Sequence, residues 1–398
     1  MANLKLSFIY LLQCIQIISS ILPPLKIKGN QILDSRSEIV HLHCVNWAGA
    51  HQRDFVTSGL NLQNRSFIAD QILDMGFNCV RLQYSAQMVV ENPVIPQIFL
   101  EENKDLINKR ALHIYQEIVA TLTQKNIMVI LDMHMMDADW CCNWDDQNGL
   151  WFNERWSKKT VIDIWVFMAD LFKDNQWVIG ADLRNELRIS YPFGKISLFP
   201  TFPSWGRSIS PWKYDWANFA ETLGNAVVKA NRNLLIIVQG PFEVKLTKFS
   251  YPQTLEKIPG RPLELDVPNR VVYSCHDYSW FHREFNFQEM KDTDENYEKI
   301  KKNFQIRWGN LSKQYPVWLG EFGTVHSFQG VENNTYWKFL TRYINETKVH
   351  WAYWPLDGTQ ASGRGREFGT EETFGLLNTR WDGPAYSGLI DSLKNIMF

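Results

Sequence analysis

The chain alternates short, nearly continuous apolar runs with longer segments in which apolar residues recur at helical spacing. Eight runs read as strands: Val40–Asn46, Cys79–Leu82, Met128–Met133, Val178–Leu183, Leu234–Gln239, Val271–Cys275, Val317–Gly320 and His350–Pro355. Helical patterns lie between most of them, over Ser66–Met75, Leu106–Lys125, Ser157–Asn175, Trp216–Asn231, Asp294–Gln314 and Asn333–Thr347. The first shows the logic: Phe67, Ile68, Ile72, Leu73 and Met75 repeat at helical spacing, and Gly76 stops the helix before the next strand. Strands that are apolar throughout are buried on both faces, and alternation with helices means parallel pairing. Eight in one unbroken series predict an α/β fold, a single (β/α)8 TIM barrel, in preference to an open doubly wound sheet. The open sheet usually brings a phosphate-cradling glycine turn, and neither GxGxxG nor GxxxxGK[ST] occurs.

The N-terminus departs from this rhythm. Lys5 precedes an apolar run from Leu6 to Leu22, broken by Gln13 and Gln16, which reads as a secretory signal over residues 1–22 with cleavage near Ser19 to Pro24. It is too short and interrupted for a membrane span, and no other stretch is apolar enough for one. Residues 23–398 then form one domain, secreted or held in the endomembrane lumen. Without Cys14, five of the six cysteines remain. Cys44, Cys79 and Cys275 sit in strand-like runs and read as small buried hydrophobes. The adjacent Cys141 and Cys142 lie in a polar loop, where a disulfide to an unassigned partner is open. No CxxC or HxxxH spacing supports a metal site, and no cofactor is called for. Sequons at Asn64, Asn310, Asn333 and Asn345 favour secretion weakly.

Composition adds two constraints. With 41 basic and 43 acidic residues and no charge run, a nucleic-acid or acidic-membrane partner has no support. Aromatics make up 14% of the chain, with 17 Trp, 14 Tyr and 24 Phe. A large core uses such residues freely, and aromatic faces also hold sugar rings.

A barrel places its chemistry at the carboxyl ends of its strands. There the sequence has Arg81 after the second strand, His134 after the third, Asn185-Glu186 after the fourth, His276 and Tyr278 after the sixth, Glu321 at the seventh and Trp354 at the eighth. Taken singly, each has a structural reading: Arg81 as partner of a core carboxylate, His134 as a satisfied core histidine, Glu321 as a helix cap. Taken together they converge on one mouth. Two carboxylates across a cleft are what glycosidic hydrolysis needs, one protonated to donate to the leaving oxygen and one ionised to attack the anomeric carbon. Arg81 and Tyr278 are suited to keeping Glu321 ionised, and Asn185 to bonding a substrate hydroxyl beside Glu186.

At these residues the sequence resembles glycoside hydrolase family 5, the cellulase family of retaining barrel enzymes, from Val45-Asn46-Trp47 to Trp354. The motifs are Leu183-Arg184-Asn185-Glu186-Leu187-Arg188, Val317-Trp318-Leu319-Gly320-Glu321-Phe322-Gly323, Arg81 in Gly76–Leu82, His134, His276 with Tyr278, and Trp354. The runs Asp139-Trp140-Cys141-Cys142 and Cys44-Val45-Asn46-Trp47 resemble a less studied eukaryotic branch; bacterial endoglucanases as a rule lack the vicinal cysteines. The resemblance implies that residues 23–398 are the catalytic domain, that Glu186 is acid then base and Glu321 the nucleophile, and that their carboxyl groups lie about 5–5.5 Å apart. It implies orienting roles for Arg81, His134, Asn185, His276, Tyr278 and Trp354.

The implied substrate is an oligo- or polysaccharide, a β-1,4-glucan cut internally by a monomeric enzyme. The same mechanism on β-mannan, on a β-glucoside cut from the chain end or on a glycolipid is the first alternative, and an inactive carbohydrate-binding barrel is the second. Aromatic loops frame the mouth: Tyr191, Phe193, Phe199, Phe202, Trp205, Trp212 and Tyr214 after the fourth strand, and Asp137, Asp139, Trp140, Trp144, Asp145, Asp146 and Trp151 after the third. These read as sugar walls and hydroxyl partners, or as loops packing on themselves; 357–374 reads as a mobile rim.

Overall fold

A computed structural model describes residues 21–143, 145–190, 202–206, 212–242 and 253–398. The signal segment expected at 1–22 lies outside them apart from its last two residues. A short antiparallel hairpin, β1 (Lys26–Lys28) and β2 (Gln31–Leu33), precedes a closed barrel of eight parallel strands. These are β3 (His43–Trp47), β4 (Cys79–Ser85), β5 (Met128–Met135), β6 (Val178–Asp182), β7 (Leu235–Gln239), β8 (Val271–His276), β9 (Val317–Phe322) and β10 (His350–Tyr353). They follow sequence order round the barrel, and β10 closes on β3 with Ala352 opposite Cys44. All eight predicted strands are present, so the (β/α)8 expectation holds.

Side-chain alternation sorts the strands into two environments. Val45, Trp47, Val80, Leu82, Val129, Leu131, Ile236 and Val238 join the cluster between barrel and helices. Their neighbours point inward and change character along the axis. At the base, Cys44, Cys79, Met128, Ile130, Leu235, Ile237, Val272 and Trp318 form an apolar plug sealed by Leu25, Ile27 and Ile32 of the hairpin region. Toward the carboxyl ends the inward positions become Asn46, Arg81, Gln83, Asp132, His134, Asp182, Gln239, Ser274 and His276, all buried.

The helices are α1 (Arg65–Asp74), α2 (Ala86–Glu91), α3 (Ala111–Gln124), α4 (Lys158–Leu171), α5 (Trp216–Ala230), α6 (Asp294–Phe304), α7 (Phe328–Val331), α8 (Thr335–Thr347) and α9 (Ser387–Lys394). Side chains of Asn64, Ser157, Asp215, Thr293 and Asn334 cap α1, α4, α5, α6 and α8 by accepting from backbone N–H groups of the first turn. Three predicted helices are shorter than their periodicity, and that expected over Ser157–Asn175 ends at Leu171. Asn108 adopts φ +65°, so the chain turns before α3 begins at Ala111. The run to Gln314 breaks after Phe304 into a π-helical turn, Gln305–Gly309, whose last residue packs directly against Tyr343 with no room for a side chain. The four sequon asparagines are exposed.

The cysteines require a correction. Cys44 and Cys79 are buried, but they are bonded to each other across adjacent strands, with Cα atoms 4.4 Å apart. Cys44 lies opposite Cys79 in the parallel register, a relation that separate apolar runs do not reveal. Cys141 is bonded to Cys142 itself. Cys275 is the free, buried thiol among the described residues. The Cys44–Cys79 bridge closes a sequence separation of 35 residues. Replacing both by alanine is expected to lower the unfolding free energy by about 2–4 kcal/mol in a denaturant titration; a loss below about 1 kcal/mol would show that β-sheet pairing alone fixes these strands.

Candidate active site

The polar inward residues of the barrel are organised around Arg81, which is fully buried. Its Nε donates to Asp182 Oδ2 at 2.9 Å. Nη1 donates to Glu321 Oε1 at 2.7 Å and to Asn46 Oδ1 at 3.0 Å. Nη2 donates to Asn185 Oδ1 at 3.0 Å and lies 3.1 Å from Asp132 Oδ2. One cation thus faces three carboxylates. Burial pushes Asp132 and Asp182 up to about 6, against the pull of Arg81. The structural reading of Arg81, as partner of core carboxylates, and the functional one, as partner of Glu321, are both realised.

Asn185 and Glu186 follow β6. Glu186 stands at φ +39°, a left-handed conformation uncommon for a non-glycine residue. Its backbone N–H donates to Gln239 Oε1 at 2.9 Å, and Gln253 Nε2 donates to the same oxygen at 3.1 Å. Gln239 Nε2 in turn donates to Asp182 Oδ2 at 3.0 Å. This buried amide relay ties the turn to the Arg81 cluster. Asn185 Oδ1 is taken by Arg81, and its Nδ2 lies 3.2 Å from His134 Nε2. His134 Nδ1 is 2.7 Å from Asp132 Oδ2, and burial holds the ring well below the usual imidazole range. The neutral tautomer that fits carries its hydrogen on Nδ1 and accepts from Asn185.

Glu186 and Glu321 meet over His276. His276 Nδ1 lies 2.9 Å from Glu186 Oε1 and 3.4 Å from Glu321 Oε2, and one oxygen of each carboxylate lies within 4.8 Å of the other. Tyr278 Oη donates to Glu321 Oε2 at 3.2 Å; burial and Glu321 itself push this phenol far up, so it keeps its hydrogen. Burial pushes Glu321 up to about 7, His276 and Arg81 pull it back, and neighbouring Glu186 raises it. Gly320 makes room for this geometry. A Cβ there would stand 2.9 Å from Ser274 Oγ and 3.1 Å from His276 Nε2.

Above these groups opens a cavity of about 620 Å³ lined by His134, Asn185, Glu186, Tyr278, Glu321 and Trp354, with Trp140, Cys141, Cys142 and Phe374 among its walls. Arg81 and His276 lie beneath it. All eight site residues of the sequence reading are therefore in one place. Trp354 stacks on His134, with centroids 5.4 Å apart and planes 14° apart.

The loop expectations fare differently. Asp137 binds Arg155, Asp139 binds Arg53, Asp145 binds Arg364 and Asp146 binds Arg188, so these carboxylates are engaged by arginines of the chain itself. Trp151 and Trp205 are buried core residues. Trp140 reaches the cavity, under the Arg366 guanidinium at 3.5 Å. Trp144, Tyr191, Phe193, Phe199 and the Trp212 side chain lie outside the described residues. Sequence reading missed Asn46, Asp182, Gln239 and Gln253, and noted Asp132 without a role. For Asn46, Asp132, Asp182 and Gln239 the signal was a polar residue at an inward position of an apolar strand, as in Arg81/Gln83, Asp132/His134 and Ser274/His276; Gln253 lies between β7 and β8 at an isolated bridge, where no strand pattern marks it.

Among the described residues, two sets of groups have ligand atoms close enough for a metal: Glu186, His276 and Glu321, and Cys141, Cys142 and Glu186. The disulfide leaves the second without a thiolate. An ion in the first would displace the hydrogen that His276 offers the carboxylates.

The family model described as Cellulase (glycosyl hydrolase family 5) matches residues 41–360. An endoglucanase of Paenibacillus polymyxa is 29% identical over 369 residues, spanning 89% of this chain and 82% of that protein. A glycosyl hydrolase 5 family protein of Chamaecyparis obtusa is 28% identical over 395 residues, 94% of this chain and 66% of that one. The catalytic domain of the major endoglucanase from Xanthomonas campestris pv. campestris has the same fold, with a TM-score of 0.77 at 21% identity, covering 94% of this chain and 99% of the other.

Removing the central cation tests the cluster. Arg81→Met leaves three buried carboxylates without their partner and is expected to lower stability by about 3–5 kcal/mol in urea unfolding near neutrality. Asp132 and Asp182 have folded values raised to about 6. Stability is therefore lost as pH rises through about 6, and the deficit of the variant shrinks toward about pH 5 as they take up protons.

Proposed function

The chain belongs to the cellulase family, glycosyl hydrolase family 5, and is a glycoside hydrolase acting on a glycan; from that premise we propose that it is a retaining endo-β-1,4-glucanase in which Glu321 is the nucleophile and Glu186 the acid and then the base. The observation that carries this reading is the shared position of the two carboxylates over His276 Nδ1, at 2.9 and 3.4 Å. An inverting enzyme holds its carboxyl groups about 6.5–9.5 Å apart to admit a water, whereas direct attack requires the shorter spacing. Oxygens within 4.8 Å of one another support direct attack.

The donors divide the labour. Glu321 receives Arg81, Tyr278 and, at longer range, His276; three donors favour its ionised form. Glu186 receives His276 on Oε1, and its Oε2 faces the cavity wall formed by Cys142. The pair titrates as a unit, and the proton it retains belongs on Glu186. With a sugar ring over Trp354, Glu321 attacks the anomeric carbon while Glu186 protonates the departing oxygen. The resulting glycosyl-enzyme is hydrolysed by a water that Glu186, now ionised, deprotonates. Asn185, whose Nδ2 has a second hydrogen beyond the one given to His134, is placed to bond a sugar hydroxyl, and His134, with both ring nitrogens engaged, positions Asn185. The endoglucanase names of the relatives favour a β-1,4-glucan cut internally. The two disulfides, with the apolar N-terminal run, favour delivery to an oxidising compartment.

Hydrolysis of a fluorogenic β-cellobioside and a soluble β-1,4-glucan tests the assignment. Glu321→Gln is expected to abolish turnover of both. Glu186→Gln is expected to slow the polysaccharide by about 10²–10⁴-fold and the activated aryl glycoside by less, because a good leaving group needs little protonation. Proton NMR of a fresh digest should show the β-anomer first; the α-anomer first would contradict the mechanism. The rate profile should be bell-shaped, with activity lost on the alkaline side as the acid gives up its proton and on the acid side as the nucleophile takes one up; a flat profile through roughly pH 4 to 9 would contradict the assignment.

A further inference from the structure

Cys141 and Cys142, joined to each other, line the cavity beside Glu186. Cys142 Sγ lies 3.1 Å and Cys141 Sγ 4.0 Å from Glu186 Oε2. The other carboxylate oxygen, Oε1, is occupied by His276 Nδ1. Among the described residues no N–H or O–H group donates to Oε2. A disulfide sulfur carries no hydrogen, so it cannot donate and accepts only weakly. The oxygen free to hold a proton is thus the one against the sulfurs.

We propose that the Cys141–Cys142 disulfide is a positioning element for Glu186: a donor-free wall that keeps the proton on Oε2, available to the leaving group, and that makes the acid step depend on the thiol–disulfide state of the pair. This rests on the reading of Glu186 as acid and base. While the bridge is closed, the protonated carboxyl has a weak acceptor beside it and gives up its hydrogen readily to a substrate oxygen. A small dithiol opens the bridge by transferring two hydrogens to Cys141 and Cys142 while closing into its own cyclic disulfide. The S–S bond broken in the protein is matched by the one formed in the reagent. The new S–H groups are donors within reach of Oε2 and favour its ionised form. The other titratable and charged groups around Glu186 do not change in this exchange: Arg188, which donates to its backbone carbonyl, His276 at the end of β8, Tyr278 just beyond it and Glu321 on β9. Cys44 and Cys79 are fully buried at the barrel base, whereas the vicinal pair borders open cavity.

The experiment compares pH profiles of kcat/KM on a soluble β-1,4-glucan, whose leaving group needs the proton, for the untreated enzyme, the dithiol-treated enzyme, Cys141→Ser/Cys142→Ser and Cys141→Ala/Cys142→Ala. In the treated enzyme and the serine pair, both of which place donors at Oε2, the upper limb is expected to move to lower pH by about one unit, a tenfold change in proton affinity. Reoxidation should restore the treated enzyme. The alanine pair lacks donors and should keep the upper limb of the untreated enzyme. Two results would overturn the inference: an upper limb unmoved in both the treated enzyme and the serine pair, or an alanine pair displaced as far as the serine pair. The treated wild-type chain supplies the answer if a variant fails to fold. Glu186→Gln separates the layers. Unimpaired turnover in that variant overturns the acid–base reading, whereas lost turnover with unmoved limbs overturns the disulfide inference alone.

Discussion

A single buried guanidinium holds the upper half of the barrel together. Arg81 on β4 binds Asn46 on β3, Asp132 on β5, Asp182 on β6, Asn185 just beyond β6 and Glu321 on β9. Ion burial is costly unless charges are paired and lone pairs satisfied. Here one cation is the counter-charge for three carboxylates; the amides of Asn46 and Asn185 accept further hydrogens from it, and that of Gln239 donates to Asp182. The polar interior is sustained by this concentration of contacts, and the apolar plug below it keeps the base of the barrel dry.

From that centre the two glutamates acquire different surroundings. Glu321 sits against the cation and a phenol; Glu186 sits one shell further out, on a turn whose left-handed backbone is pinned by Gln239. His276 touches both. The asymmetry lies in the number of donors each receives: Arg81, Tyr278 and His276 around Glu321, and His276 alone on the Glu186 side chain. The vicinal disulfide extends the same logic to the far side of Glu186, since what it contributes is the lack of a donor.

The loops over the mouth are fastened in a way that also bears on function. Arg53 and Arg364 draw the segment around Asp139 and Asp145 toward the 357–374 segment, and Arg366 covers Trp140 while pairing with Glu372. Acidic residues that looked like sugar ligands in the linear sequence are therefore fasteners. Their arginine partners lie on other segments of the chain, one of them, Arg364, beyond the last strand, so nothing local in the sequence distinguishes a carboxylate that will meet a sugar from one that will meet Arg364.

Local order along the chain carried the architecture: apolar runs of strand length, helical periodicity between them and polar residues at the carboxyl ends of six strands sufficed for the barrel and for the eight residues named at its mouth, but not for Asn46, Asp182, Gln239 and Gln253 behind them. Those signals are short-range, and a parallel barrel turns strand ends into one mouth whatever the details. Pairing across strands was a different matter. That Cys44 faces Cys79, that Arg81 answers to Asp132 and Asp182 as well as Glu321, and that Cys142 lies against Glu186 depend on register and loop path. Those are settled by contacts between residues tens to hundreds of positions apart, whose energies exist once the chain has closed on itself.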